Sequence, residues 1–173
     1  STVLAVEATR DLPVKPQTVE TGLGVAAGAV VAVPLVVVPI LRAGLGMAAA
    51  VRDVLPDALE AFIGMYRDPD THEPVEYYAK IPPAENGRYI IVDPMFATGG
   101  TATAAVDLLN RKGISDQSIR IISLIAAPEG LARFRQSHAD IPIYVAAIDD
   151  RLNDHDYIVP GMGDAGDRLF GAG

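Results

Sequence analysis

Asp93, Thr98, Gly99, Gly100 and Thr101 fall within one stretch, Ile90–Thr101, that reads IIVDPMFATGGT. Three apolar residues run into a carboxylate. A short apolar bridge, Pro94, Met95, Phe96 and Ala97, leads to a turn of small residues, and a helix-forming segment, Ala102–Lys112, follows. This is the pattern of a buried parallel strand whose C-terminal loop opens a helix. Such a loop turns several backbone N–H groups and two hydroxyls toward one point, with the positive end of the helix dipole behind them. A phosphate monoester fits there. Asp93, at the strand's end, is placed to reach a sugar hydroxyl or a metal-bound water. The chemistry on offer is the holding of a sugar phosphate. The plainer alternative is an ordinary strand-to-helix turn with glycine at a tight corner.

The elements that must position these residues follow from the alternation of apolar runs and helical patterns. Strands are expected at Leu35–Ile40, Ala61–Tyr66, Tyr89–Val92, Ile119–Ala126 and Ile143–Ile148. Helices are expected at Gly44–Val54, at Gly100–Lys112, closed by Gly113 at C′, and at Pro128–Ser137, with Pro128 in the first turn. Continuous apolar strands alternating with helices imply an α/β fold with a doubly wound, mostly parallel sheet flanked by helices. Ligands in such sheets sit at the carboxyl ends of the strands, near a switch point. Arg42, Arg67, the segment Asp93–Thr101 and the tail after Ile148 all fall at that edge. Asp68–Asn86 is a polar, Pro-rich excursion long enough to be functional. With Tyr77, Tyr78 and Lys80 it reads as one arm of a mobile hairpin, a lid.

Composition narrows the classes. The chain has 173 residues, half of them hydrophobic, which suits one domain over 1–173 with a sizeable core. The net charge of −8, with no basic cluster longer than Arg111-Lys112, argues against a nucleic-acid partner. The absence of cysteine removes disulfide and thiol chemistry and fits a cytoplasmic protein. No signal peptide is recognisable at the start. Thr21–Leu41 lacks charge, but its glycines, Pro34, Pro39 and valines argue against a membrane span. A loop or small edge element before the strand Leu35–Ile40 is expected instead.

Other motifs have plainer readings. Gly161-x-Gly163-x-x-Gly166 matches a dinucleotide fingerprint literally, but no helix of useful length follows and no βαβ unit fits around it. Thr98–Thr101 lacks the lysine of a Walker loop. Arg42 and Arg67 are either anion ligands or solvated charges. Asp164, between two glycines, is either a site residue or a turn residue. Asp154-His155-Asp156 reads as a solvated loop, since such close neighbours rarely converge on one ion, and His72 and His138 are isolated. No metal site built from protein ligands is expected.

The segments VPILRAGLGM (38–47), GMYRD (64–68), VDPMFATGGT (92–101), AAPEG (126–130) and YIVPGMGDAGDRLFG (157–171) together resemble the uracil phosphoribosyltransferases, a branch of the type I phosphoribosyltransferases. The resemblance runs from about Glu7 to the end. Proline at 94 is in keeping with the uracil branch, where most type I relatives carry a second acidic residue. Region 11–34 matches poorly, and the family's N-terminal helical arm is not in this sequence.

The resemblance implies transfer of a phosphoribosyl group from 5-phosphoribosyl-1-diphosphate (PRPP) to uracil, giving UMP and diphosphate. Asp93, Pro94, Met95, Phe96, Ala97, Thr98, Gly99, Gly100 and Thr101 would hold PRPP by its ribose 5-phosphate. Arg42 and Arg67 would bind its diphosphate. Ile158, Gly163 and Ala165 would present backbone groups to uracil from a C-terminal hood. Asp164 would sit beside both substrates, and Asp164 and Arg67 would be catalytic. Mg²⁺ would ride on PRPP with few or no protein ligands. A homodimer or homotetramer and a GTP effector belong to the same implication. The alternatives are a phosphoribosyltransferase for another base, a non-catalytic nucleotide-binding regulator and a generic sugar-phosphate module. Pro94, the acidic balance and the retained Arg42, Arg67 and Asp164 argue against these in turn.

Overall fold

The structure is a computed structural model and describes residues 1–68, 71 and 74–171; the side chain of Arg67 lies outside that description. In chain order the elements are α1 (Thr2–Thr9), β1 (Val14–Thr21), β2 (Gly24–Val31), β3 (Leu35–Leu41), α2 (Leu45–Val54), β4 (Leu59–Glu60), β5 (Phe62–Arg67) and β6 (Pro74–Lys80). Then come β7 (Arg88–Val92), β8 (Met95–Phe96), α3 (Gly100–Arg111), β9 (Ile119–Ala126), α4 (Pro128–Ser137), β10 (Ile143–Ile148), β11 (Arg151–Leu152), β12 (Ile158–Val159) and α5 (Ala165–Phe170).

The main sheet runs β10-β9-β7-β3-β5-β6, with β4 beside β3 and β8 beside β9. Every pairing in it is parallel except that of β6 with β5. From β3 the chain steps to one side, to β5. It then returns to the other side at β7 and continues outward to β9 and β10. The switch point therefore lies between β3 and β7, and the loops after Leu41 and Val92 diverge there to leave a crevice.

The central strands β3, β7 and β9 are mostly apolar because both their faces are covered. Val36, Val38, Ile40, Ile91 and Ile121 point to a core shared with Leu109 of α3 and Phe134 of α4. Their neighbours Val37, Ile90, Val92 and Ile122 point to the opposite core, with Ala5 and Ala8 of α1 and Met47 and Val51 of α2. Arg120 ties α1 to β9. It donates to the Ala8 carbonyl and, through both terminal nitrogens, to the Asp11 carboxylate. Gly113 (φ +85°) closes α3. Its N–H reaches the Asn110 carbonyl at 2.8 Å and the Ile114 N–H reaches that of Leu109 at 3.1 Å, a Schellman ending.

Two expectations need correction. The uncharged stretch before β3 is not a loop or edge element of the main sheet. It supplies β2, which pairs with β1 over eight residues in a separate hairpin whose strands are exposed almost throughout. By contrast, the excursion after Arg67 supplies the hairpin arm its residues predict, the strand β6, antiparallel to β5. His138 is not isolated but buried, with Nδ1 at 2.9 Å from Asp116 and Nε2 at 3.3 Å from Asp107. His72 lies outside the described residues. No helix among the described residues is long and apolar enough to cross a membrane.

Candidate active site

The loop Asp93–Thr101, expected to hold a phosphate and called the phosphate loop below, is fixed from behind. Beyond β7, the Pro94 carbonyl accepts from Leu124 and Ile125 N–H, and the Phe96 carbonyl accepts from Ala127 N–H, so the bridge is laid along β9. Phe96 is buried and meets Phe134 edge-to-face at 5.5 Å. The chain then turns at Gly99, whose left-handed backbone (φ +78°) caps α3. Two glycines let this turn press on α4. A Cβ on Gly99 would come within 2.7 Å of the Gly130 carbonyl oxygen, and one on Gly130 within 1.9 Å of that of Ala97. Thr98 Oγ1 accepts from the Gly100 N–H at 3.3 Å.

On the other side of the switch point, Arg42 follows β3 across a cis Leu41–Arg42 bond, and Gly44 starts the turn into α2. Gly44 is pressed so close to Val92 and Ile40 that a Cβ would fall 2.4 Å from the Val92 carbonyl oxygen. Arg42 Nη2 donates to Asp167 Oδ1 at 3.1 Å.

The tail is built from short pieces. β11 and β12 pair antiparallel, bringing Leu152 opposite Ile158. Glu129 accepts from the Leu152 N–H, and Asp149 Oδ2 accepts from the Gly161 N–H at 2.9 Å. Gly161 and Gly163 take positive φ, after a cis Val159–Pro160 bond. Asp164 caps α5, its Oδ1 accepting from the Asp167 N–H at 2.9 Å.

These parts enclose a cleft of about 540 Å³. Asp93, Met95, Ala97 and Thr101 form its phosphate-loop wall; Ile158, Gly163, Asp164 and Ala165 form the tail wall. An adjoining hollow of about 460 Å³ shares Asp93, Thr101 and Asp164 and adds Arg42 and Asp167. The predicted residues thus converge from segments far apart in the chain. Thr98 and Gly99 line a small void under the loop, while Pro94 and Phe96 give their contacts to β9 and α4 and support the loop. The Arg67 side chain lies outside the described residues.

Sequence reasoning missed His155, Asp156 and Tyr157. Read as a solvated loop and its neighbour, they line the cleft. Asn153 Oδ1 accepts from the His155 and Tyr157 N–H groups and turns this segment inward. That side-chain-to-backbone turn was the available signal.

The whole of 1–172 matches the family model for uracil phosphoribosyltransferase. The chain belongs to the uracil phosphoribosyltransferase family. It is 53% identical to a uracil phosphoribosyltransferase of Dictyoglomus thermophilum, over 99% of this chain and 83% of that one. A solved structure of an Aquifex aeolicus protein superposes with a TM-score of 0.93 at 36% identity, over 99% of this chain and 82% of that one. A hypoxanthine phosphoribosyltransferase from Staphylococcus aureus superposes with a TM-score of 0.54 at 19% identity, over 86% of this chain and 70% of that one, and shares the fold. The family's fold is the one described above, the type I phosphoribosyltransferase sheet.

Proposed function

We propose that this chain, as one phosphoribosyltransferase domain in the cytoplasm, transfers the 5-phosphoribosyl group of PRPP to uracil. The bond between the anomeric carbon and the diphosphate oxygen breaks, the bond to the uracil nitrogen forms, the nitrogen's proton leaves, and UMP and diphosphate are released. The observation that carries this reading is the meeting of a phosphate-holding loop and a glycine-rich tail around one cleft, with Asp93 and Asp164 common to both hollows.

Ala97–Thr101 and the first turn of α3 offer backbone N–H groups and hydroxyls to the 5-phosphate. Asp93 faces the ribose hydroxyls. Arg42 and Arg67 take the diphosphate, where charge grows as the bond breaks. Backbone groups of Ile158, Gly163 and Ala165 take the edge of uracil, and Asp164 lies where it can draw the nitrogen's proton or steady the cation-like ribosyl centre.

The two hollows are lined by the carboxylates of Asp68, Asp93, Asp156, Asp164 and Asp167, with Arg42 as their cation among the described side chains. Among the described residues no three acidic or histidine side chains cluster as metal ligands. That oxygen-rich, acidic lining fits Mg²⁺ carried in by PRPP and held by phosphates, water and at most Asp93 or Asp164. Bound there, the ion would neutralise diphosphate charge. The hairpin of β5 and β6, with Tyr66 beside the hollow, supports a lid that excludes water on PRPP binding. Slower hydrogen exchange in 68–86 on adding PRPP is expected, and indifference would rule the lid out. The exposed valines of β1 and β2 support a homodimer or homotetramer, and GTP regulation belongs to the same family reading.

The test is diphosphate release from PRPP and Mg²⁺ with a panel of bases. Cytosine lacks one ring N–H and replaces a carbonyl by an amine, so at least two fixed backbone groups would face like partners, costing about 1–3 kcal/mol each. Uracil is expected to exceed cytosine by about a thousandfold or more in kcat/KM. Comparable turnover of the two would sink the assignment of the tail.

A further inference from the structure

Asp167 has no part in the proposed reaction, yet it touches both ends of the cleft. Its carboxylate accepts from Arg42 Nη2 at 3.1 Å, and its backbone N–H donates to Asp164 Oδ1 at 2.9 Å. Arg42 and Asp167 stand 125 residues apart in the chain. The surrounding packing keeps them together: α5 rests on the turn that begins α2. A Cβ on Gly46 would lie 3.1 Å from Leu169 Cδ1, and one on Gly166 would lie 4.0 Å from the Ala43 Cβ.

We propose that Asp167 is a positioning residue that ties the diphosphate cation, Arg42, to the base-side carboxylate, Asp164. The tie rests on the function proposed above. A guanidinium carries five N–H donors in a rigid fork. Asp167 uses one nitrogen and leaves other donors for a diphosphate, so it aims Arg42 without consuming it. Both side chains of the pair are about half exposed, 49% and 47%. An ion pair so exposed adds little to folding. Its value lies in orientation, where a small misplacement of a charge-neutralising group costs far more in rate than in stability.

The experiment compares Asp167→Ala, Asp167→Asn, Arg42→Ala and the Arg42→Ala/Asp167→Ala double variant, reading kcat and KM for PRPP alongside melting temperature. Asp167→Ala is expected to lower kcat about ten- to a hundredfold, with a nearly unchanged melting temperature. Asp167→Asn, which keeps the shape and an accepting oxygen but loses the charge, is expected to lose less; the backbone N–H to Asp164 stays in both variants. In the Arg42→Ala background, removing Asp167 should cost little more, because the two act as a unit. Losses that multiply in the double variant would overturn the tie, as would wild-type kinetics for Asp167→Ala. If Asp167→Ala fails to fold, Asp167→Asn carries the same comparison. A wild-type chain that releases no diphosphate from PRPP with uracil overturns the function itself, an outcome distinct from an active enzyme indifferent to Asp167.

Discussion

The phosphate loop and the tail line the same cleft but are made in opposite ways. The loop is an outgrowth of the core. Its carbonyls are bonded along β9, Phe96 is buried against Phe134, and its turn is wedged on α4 through Gly99 and Gly130. The tail is an assembly of two-residue strands and a six-residue helix. It is held by single side-chain contacts from Glu129, Asp149, Asp164 and Arg42. On the proposed function, the loop's ligand is a phosphate, which presents the same oxygens in every phosphoribosyl donor, so its holder can be rigid and inseparable from the fold. The tail's ligand is then the base, which distinguishes one transferase from another, and the tail is built where substitutions leave the core untouched. Damage to the loop should therefore cost folding and activity together, whereas damage to the tail should cost activity alone.

The sharpest way to break that contrast is at Gly99. Valine there would need φ +78° and would drive a side chain into the Gly130 carbonyl. A loss of about 2–6 kcal/mol is expected from strain and overpacking together, with PRPP affinity lost as well. Gly130→Ala, which pushes on the Ala97 carbonyl from behind without facing the cleft, should move in the same direction. Denaturant midpoints and calorimetric PRPP titration read both effects. A stable Gly99→Val protein that binds PRPP normally would remove the loop from the site.

Asp164→Asn tests the tail. Asparagine caps a helix about as well as aspartate, so α5 should stay in place and the melting temperature should hold. Turnover should nevertheless fall on the order of a hundredfold, because the carboxylate's charge is gone. A fully active variant, or one that melts in step with its loss of rate, would erase the distinction between the two regions.

The smallest effect is expected away from both, at Asp11. The hydrogen bond from Arg120 holds its carboxyl below the ordinary value of 3.8. A carboxylate depressed in the folded state contributes stability above its unfolded pKa and loses that contribution as pH falls through the folded value. Its side chain is 69% exposed, so Asp11→Asn should cost well under about 1 kcal/mol at neutral pH. The difference from the parent should vanish below the depressed pKa, with kcat unchanged throughout. Thermal melts across acid and neutral pH check the sign; a growing difference toward low pH would reverse it.

Legibility in the sequence followed burial and locality. β9, α4 and β10 occupy the spans that periodicity predicts, because each is a mostly apolar run or an amphipathic turn set between breakers. The hairpin of β1 and β2 was not legible. Both strands stand in solvent, so no alternation marks them, and the apolar residues of β2 point to no core within this chain. In the site, the phosphate loop was legible because strand, small-residue turn and helix are contiguous. The placing of His155–Tyr157 depends on the return of β12 onto β11, and the meeting of Arg42 with Asp167 on the docking of α5 over α2. The second leaves no local pattern, and the first leaves only the turn at Asn153.

The position of β3 at the centre of the sheet carries a consequence for synthesis. Its apolar LVVVPIL run needs cover on both edges, and the two covers are made at different times. β4 and β5 follow soon after it, but Val36 waits for Tyr89 and Leu35 for Arg88. At usual translation rates that interval is on the order of seconds. During it a nascent chain carries an unpaired valine-rich edge. A pause while β7 is still inside the ribosome should therefore favour misassembly more than one after β7 has emerged.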